Sequence, residues 1–279
     1  MSSISVVIPT YNRSVLLERA LNSVLAQALP ADEIIVVDDG SADNTVSMLK
    51  SRYPEVNLIT QDNRGVSAAR NAGIKAARHE WIALLDSDDV WHQNKLEIQL
   101  QALQHSPEYL ICHSNEIWIR NGFRANQMNK HKKAGGLIFQ HCLPLCAISP
   151  STVMIHRLLL NKVGLFDETL PACEDYDLWL RICSRYPVLY IDEALISKYG
   201  GHNDQLSRQY WGMDRFRIQA LNKIITKASL SKIDRDAAIK TMIDKINIYI
   251  TGAEKHGNTE HVDDFKQLLT KYAREAATA

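Results

Sequence analysis

Apolar and polar positions alternate between two rhythms along the amino-terminal part of the chain. The run Ile4 to Ile8 is β-rich and stops at Pro9, after which Leu16, Leu17, Ala20, Leu21, Val24 and Leu25 recur at helical spacing. This predicts a strand, a loop and a helix. The unit repeats as a short apolar run from Ile34 to Val37 ending at Asp38-Asp39-Gly40, followed by a helical pattern from Asn44 to Tyr53. Val56 to Ile59 and the Ala-rich stretch Val66 to Ala77 form a third unit, and Trp81 to Leu85 a fourth strand that ends at Asp86. Short apolar strands alternating with helices predict an α/β fold with a parallel sheet covered on both faces. Ligands of such sheets bind beyond the carboxyl ends of the strands. Here those ends carry Thr10-Tyr11-Asn12, Asp38-Asp39-Gly40 and Asp86-Ser87-Asp88-Asp89.

The pattern changes after a helix at Leu96 to Leu103. Tyr109 to Ile119 alternates like a strand that leaves the purely parallel arrangement, and Arg120 to Lys133, with Asn121-Gly122 at its start, predicts an exposed loop or hairpin. A strand at Thr152 to Ile155 and a helix at Leu158 to Val163 follow Ser149-Pro150-Ser151. Residues 205–279 read as helical, with Ile239, Ile243, Ile246 and Ile250 forming an apolar seam.

Composition narrows the class. The chain has 279 residues, 46% of them hydrophobic and 23% charged, with 32 basic and 32 acidic side chains. This balance excludes a whole-chain nucleic-acid binder and an acidic disordered chain. The charge is segregated, however: residues 1–110 carry a net −5, 111–133 a net +4, 134–204 a net −3 and 205–279 a net +4. Five cysteines without a CxxC pair, and an opening MSSISVVIPTY without the marks of a secretory leader, predict a reduced cytosolic protein. No apolar stretch approaches the length of a membrane span.

An acidic amino-terminal half is a poor host for a phosphate unless a cation intervenes. The carboxylates of Asp86, Asp88 and Asp89 would repel one another, and an oxygen-only ligand set fits Mg2+ or Mn2+. A solvated turn capping a helix accounts for the same residues equally well. Neither a GxGxxG after the first strand nor a P-loop is present, so a phosphate would be held by other means.

The wider set of motifs separates these readings. VVIPTYNR at Val6 to Arg13, VVDDGSADNT at Val36 to Thr45, DNRGVSAARNAG at Asp62 to Gly73, LLDSDD at Leu84 to Asp89 and EDYDLWLR at Glu174 to Arg181 occur in this order. Together they resemble the family 2 glycosyltransferases of GT-A fold, over about residues 4–208. The resemblance implies a mostly parallel central sheet flanked by helices. It divides the chain into a transferase domain at 1–208 and a helical carboxyl-terminal extension at 209–279. Within the domain, 1–110 form the nucleotide-sugar half and 111–208 the acceptor and base half.

It also implies roles. Pro9, Thr10, Tyr11 and Asn12 would lie along the base and ribose, and Asp39 would accept the ring N–H of the base. Arg70 would sit near base and phosphates, Asp86 and Ser87 on the nucleotide side, and Asp88 on a divalent metal, Mn2+ or Mg2+. Asp175 would be the general base, with Glu174 and Trp179 assisting on the acceptor side, and Trp179 packing beneath Asp175. His202, after Gly200-Gly201, would complete the metal or diphosphate site. Asp38 and Asp177 are expected to be structural. Gln205-Leu206-Ser207-Arg208 followed by Gln209 misses the QxxRW of processive synthases, which predicts transfer of a single sugar.

The implied activity is inverting transfer from a UDP-linked sugar to an acceptor hydroxyl, in surface polysaccharide or glycolipid assembly. A saccharide or lipid-linked acceptor is implied, and no nucleic-acid partner. The basic stretch 120–133 and the basic tail leave peripheral membrane contact, a homodimer through the carboxyl-terminal helices, and simple packing on the domain all open. A degenerate relative that binds nucleotide or glycan without turnover would keep the same motifs. A nucleotidyltransferase would need a Gly-rich phosphate loop that Thr10-Tyr11-Asn12-Arg13 does not supply.

Overall fold

The computed structural model describes residues 3–201 and 209–278. Strands β1 (Ile4–Thr10), β2 (Glu33–Asp38), β3 (Asn57–Thr60) and β4 (Trp81–Leu84) are mutually parallel in the order β3-β2-β1-β4. Every residue of β1 is buried, which is why its sequence is a continuous apolar run without alternation. Val7 joins one apolar cluster, and Ile4, Val6 and Ile8 join the other, so successive side chains feed cores on opposite faces. Helices α1 (Ser14–Leu25), α2 (Thr45–Arg52) and α4 (Lys95–His105) cover one face, and α3 (Val66–Ala76) packs on the other.

The register aligns the carboxyl ends of these strands. Thr10 pairs with Asp38 and Asp38 with Thr60, while Val7 pairs with Leu84, so the polar ends of the strands open on one side. Beyond β4 the sheet becomes mixed. β8 (Met154–His156) is antiparallel to β4 and to β6 (Ile111–Arg120), β9 (Leu189–Gly200) is parallel to β6, and β5 (Val90–Trp91) is antiparallel to β9. Strands β5 and β9 were not expected from the sequence pattern. β9 carries Asp192 and Glu193 in its interior, and the β6–β9 ladder absorbs them with register shifts around Asn115.

The basic stretch after β6 forms a hairpin, β7 (Phe123–Ala125) returning through Asn121 and Gly122, both at positive φ as a two-residue turn of this type requires. One expectation for this stretch fails at its end. Lys133 is buried, because its ammonium lies 3.3 Å from Glu116 and donates to the Ala147 carbonyl at 3.2 Å.

Helices α5 (Phe139–Cys142), α6 (Arg157–Val163) and α7 (Glu174–Cys183) complete the domain. The carboxyl-terminal helices α8 (Asp214–Lys227), α9 (Lys232–His256) and α10 (Val262–Thr278) do not stand apart from it. Phe216, Ile218, Leu221 and Ile225 of α8 share one apolar cluster with Leu178 and Trp179 of α7. The isoleucine seam of α9 turns inward, with Ile239 and Ile246 buried among these helices.

Gly73 fixes the distance between α3 and the sheet, since a Cβ there would press into Val7 and lie 3.2 Å from Val37. Gly73→Ala would add roughly 1 kcal/mol to an unencumbered helix. Here overpacking of about 1–3 kcal/mol is expected to outweigh that gain. A lower urea midpoint for the variant, at unchanged slope, is the expected result.

Candidate active site

The DSDD loop after β4 is fastened from outside. The Ser151 hydroxyl accepts the Asp86 N–H at 3.0 Å and donates to Asp89 Oδ2 at 2.6 Å, while the Tyr199 N–H donates to Asp89 Oδ1 at 3.0 Å. The Trp91 indole N–H donates to the Ser151 carbonyl at 2.9 Å. Asp89 is therefore spent on structure. Burial and then the Asp88 charge push its carboxyl well above the ordinary range.

Asp86 and Asp88 remain at the open edge, each with one oxygen taken by an arginine. Arg70 donates to Asp86 Oδ1 at 2.7 Å, and Arg13 donates to Asp88 Oδ2 at 2.9 Å. Burial and the neighbouring Asp86 raise the Asp88 carboxyl, against the pull of Arg13. The remaining oxygens of this pair have no hydrogen bond among the described residues. Two crowded carboxylates with free oxygens suit a hard divalent cation whose other ligands come from a diphosphate and water. Among the described residues no cluster of three ligating side chains forms. His202 lies outside the described residues.

Arg70 joins the two halves of the site. Its second terminal nitrogen donates to Glu174 Oε1 at 2.6 Å, its side chain is 5% exposed, and its guanidinium lies 5.1 Å from the centre of the Phe166 ring. Burial opposes its charge, but Asp86 and Glu174 raise its pKa. Burial and then Asp175 lift the Glu174 carboxyl to about 7, with Arg70 resisting. Trp179 is not at the surface of the site. It is 1% exposed and meets Phe166 edge-on at 6.4 Å, so it supports the ring beneath Arg70 and does not reach an acceptor.

The residues of the first two motifs lie at the carboxyl ends of β1 and β2. Pro9 and Thr10 are buried at the end of β1, and Tyr11 and Asn12 are exposed. Asn12 adopts φ 50 and holds the neighbouring loop, its Oδ1 accepting the Ala42 N–H at 2.7 Å. The Asp39 carboxylate accepts from Gln61 Nε2 at 2.7 Å, the Arg64 N–H at 3.0 Å and the Gly65 N–H at 2.8 Å. It thus organises the loop that starts α3, with acceptor capacity left on Oδ2. Ser87 is buried in the DSDD loop. Asp38 accepts the Ser41 N–H, and Asp177 pairs with Arg181 and Lys223.

Asp175 is the second residue of α7, whose preceding residue Cys173 takes the left-handed conformation at φ 60. Its Oδ1 accepts the Tyr176 N–H at 2.7 Å and its Oδ2 accepts the Cys146 thiol at 3.1 Å. Burial and the Asp175 charge push the Cys146 thiol far up, so it stays a proton donor to this carboxylate. A second chain of contacts backs the pocket. Lys198 Nζ donates to Ser149 Oγ at 2.9 Å, Ser149 donates to Glu116 at 3.2 Å, and Lys133 completes the pair with Glu116. Burial would raise Glu116, yet Lys133 and Lys198 hold its carboxyl down at about 2.

Sequence reasoning missed Cys146, Ser149, Ser151 and Lys198, which lie in segments without periodicity or in the unexpected strand β9. Their only signal was the Ser149-Pro150-Ser151 turn. Arg13 stood within a quoted motif without a role.

The sequence model described as glycosyl transferase family 2 matches residues 5–164. The chain is 32% identical over 199 residues to the UDP-Glc:alpha-D-GlcNAc-diphosphoundecaprenol beta-1,3-glucosyltransferase WfgD of Escherichia coli, covering 70% of this chain and 76% of that protein. It is also 32% identical over 216 residues to an uncharacterized glycosyltransferase of Rickettsia conorii, covering 74% of this chain but only 35% of the relative's length. Among solved structures, Staphylococcus aureus TarS 1-349 in complex with UDP-GlcNAc superposes with a TM-score of 0.65 at 18% identity, over 98% of this chain and 92% of that one. The mannosyltransferase PcManGT of Pyrobaculum calidifontis, in complex with GDP-Man and Mn2+, gives 0.63 at 17% identity, over 98% and 80%. The fold is thus the GT-A fold with added carboxyl-terminal helices.

Removing the Arg70 charge leaves Glu174 buried beside Asp175. Arg70→Met is expected to cost about 3–5 kcal/mol, measured by urea unfolding. Adding Glu174→Gln should recover part of that loss, because the double variant no longer buries an unpaired carboxylate.

Proposed function

Because the chain belongs to glycosyl transferase family 2, we propose that it transfers one sugar from a UDP-sugar to an acceptor hydroxyl with inversion at the anomeric carbon. The observation that carries this reading is the single edge that gathers Asp86 and Asp88 with Asp175, tied together through Arg70 and Glu174. The relative WfgD, whose name specifies UDP-Glc and a diphosphoundecaprenol-linked acceptor, supports a UDP donor and a lipid-linked acceptor in polysaccharide or glycolipid assembly.

In this reaction Asp175 takes the proton from the acceptor hydroxyl, whose oxygen attacks the anomeric carbon on the face opposite the diphosphate. The bond from that carbon to the diphosphate oxygen breaks, and UDP departs with the electron pair. An alcohol is too weak an acid to ionise at neutral pH unaided, so a fixed carboxylate is needed on the acceptor side. The Tyr176 N–H and the Cys146 thiol hold the two oxygens of Asp175 in place. Asp39 and the loop from Thr10 to Asn12 would frame the base, and Arg70 fixes Asp86 and Glu174 relative to each other.

Asp86 and Asp88 would hold Mn2+ or Mg2+, with His202 a further candidate. The ion, when bound, supplies positive charge against the leaving diphosphate. Its presence would also reconcile an acidic edge with an anionic donor. No helix among the described residues is long and apolar enough to cross a membrane. We place the reaction at the cytoplasmic face, where a lipid-linked acceptor would be presented.

Asp175→Asn is expected to lower kcat at least a hundredfold in a UDP-release assay while UDP binding changes less than twofold. Retention of most of the turnover would sink the base assignment. Asp88→Ala should lose the manganese-dependent part of UDP affinity, seen by calorimetry with Mn2+ and with chelator; equal enthalpograms for variant and parent would refute the metal assignment.

A further inference from the structure

We propose that the β6–β7 hairpin is a membrane-contact element that rests on an anionic lipid surface and presents the candidate site to it. The hairpin exposes Phe123 at 79% just past its turn, and the segment after β7 exposes Met128 at 57%. Arg120 and Arg124 flank Phe123 in the hairpin, and Lys130 and Lys132 follow Met128 along its root, all four exposed and none in an ion pair with a carboxylate among the described residues. The sequence contains no Asp or Glu between Glu116 and Asp167, so nothing nearby in the chain offsets these cations. An apolar tip ringed by uncompensated positive charge complements a bilayer whose headgroups are negative and whose acyl region begins just beneath them. A second copy of the chain is a poorer occupant, because a self-complementary contact would bring like charges together.

The sheet register gives the surface its direction. Arg120 pairs with Phe123 and Trp118 with Ala125, so Trp118, Arg120 and Phe123 project from one face of the ladder. Glu116 lies on that face two residues before Trp118, whose indole N–H donates to Glu116 Oε1 at 2.7 Å. Glu116 in turn contacts Ser149, and Ser149 contacts Lys198, which puts this face in continuity with the back of the candidate site. Four residues separate Glu116 from Arg120, about 13 Å along the strand. A headgroup-linked acceptor anchored at the tip would therefore need to extend by only that order of length. Trp118 is stacked under Arg120 at 5.4 Å and beside His131 at 4.8 Å, which stiffens the root of the hairpin and leaves its tip to insert.

The proposal deepens the reading of a lipid-linked acceptor and rests on it only for the purpose of the contact. The contact itself can be measured without donor or turnover. Each cation near an anionic surface contributes about fivefold to partitioning. The full chain is expected to co-sediment with vesicles containing phosphatidylglycerol, less so at high salt, and not with phosphatidylcholine alone. Phe123→Ser with Met128→Ser, and separately Arg124→Glu with Lys130→Glu, should each weaken vesicle binding at least tenfold. Both double variants should keep the parent melting temperature and UDP release with a water-soluble acceptor. Absence of binding by the parent, parent-like binding by either double variant, or association only with nucleic acid or with itself would overturn the proposal. Vesicle binding without UDP release from any donor would instead overturn the assigned activity and leave the contact surface standing.

Discussion

The buried guanidinium of Arg70 is the constraint on which the rest of the site depends. It stands on α3, yet its two terminal nitrogens hold Asp86, from the loop after β4, and Glu174, from the start of α7. Two carboxylate partners offset the cost of burying this cation, although its Nε–H has no hydrogen bond, and two acidic motifs without the cation would repel each other across the edge. One bidentate group therefore sets the spacing between the half that would take the donor and the half that would take the acceptor. Lysine could not do this, since a point charge on a flexible stem does not span two carboxylates in a fixed plane. The packing beneath is apolar and stiff, with Phe166 under the guanidinium and Trp179 under Phe166.

Around that pair the protein spends its other buried charges on fixing loops. Asp89 is tied to Ser151 and to the backbone of Tyr199, so the backbone of the first aspartate and the carboxylate of the third in the DSDD loop are held by the same serine. Glu116, Lys133, Ser149 and Lys198 form a second set, joining β6, the segment before α5, the turn before β8 and β9. Each set satisfies its members with partners from distant sequence positions. Such partners offset part of the cost of burying polar and charged groups in a low-dielectric pocket. At the acidic edge Arg70 holds Asp86, Arg13 holds Asp88 and Ser151 holds Asp89, which offsets part of the repulsion among the three carboxylates.

Legibility of the fold followed periodicity. The first four strands and the helices between them were plain because a parallel strand buried on both faces is a continuous apolar run, and the helices beside it show a one-sided pattern. Strand β9 was hidden by Asp192 and Glu193, whose presence is tolerated only because the ladder shifts register beside Asn115. Lys133 looked like one more cation of an exposed basic stretch, and only its pairing with Glu116 buries it. Trp179, four residues beyond Asp175, appeared able to serve the acceptor; the helix instead turns it into the core, away from solvent.

The sequence by itself determined the family, the ligand edge of the sheet and the identities of the acidic motifs, because these depend on local spacing and on side-chain chemistry that no partner has to reveal. Which carboxylate is free and which is committed was decided only by tertiary structure. Asp86, Asp88 and Asp89 are chemically alike in the chain, and they differ because Arg70, Arg13 and Ser151 reach them from positions 16, 75 and 62 residues away. The thiol of Cys146 against Asp175 and the pairing of Lys133 with Glu116 belong to the same class. Both follow from contacts between segments whose separation along the chain carries no pattern, so physical proximity alone defines their roles.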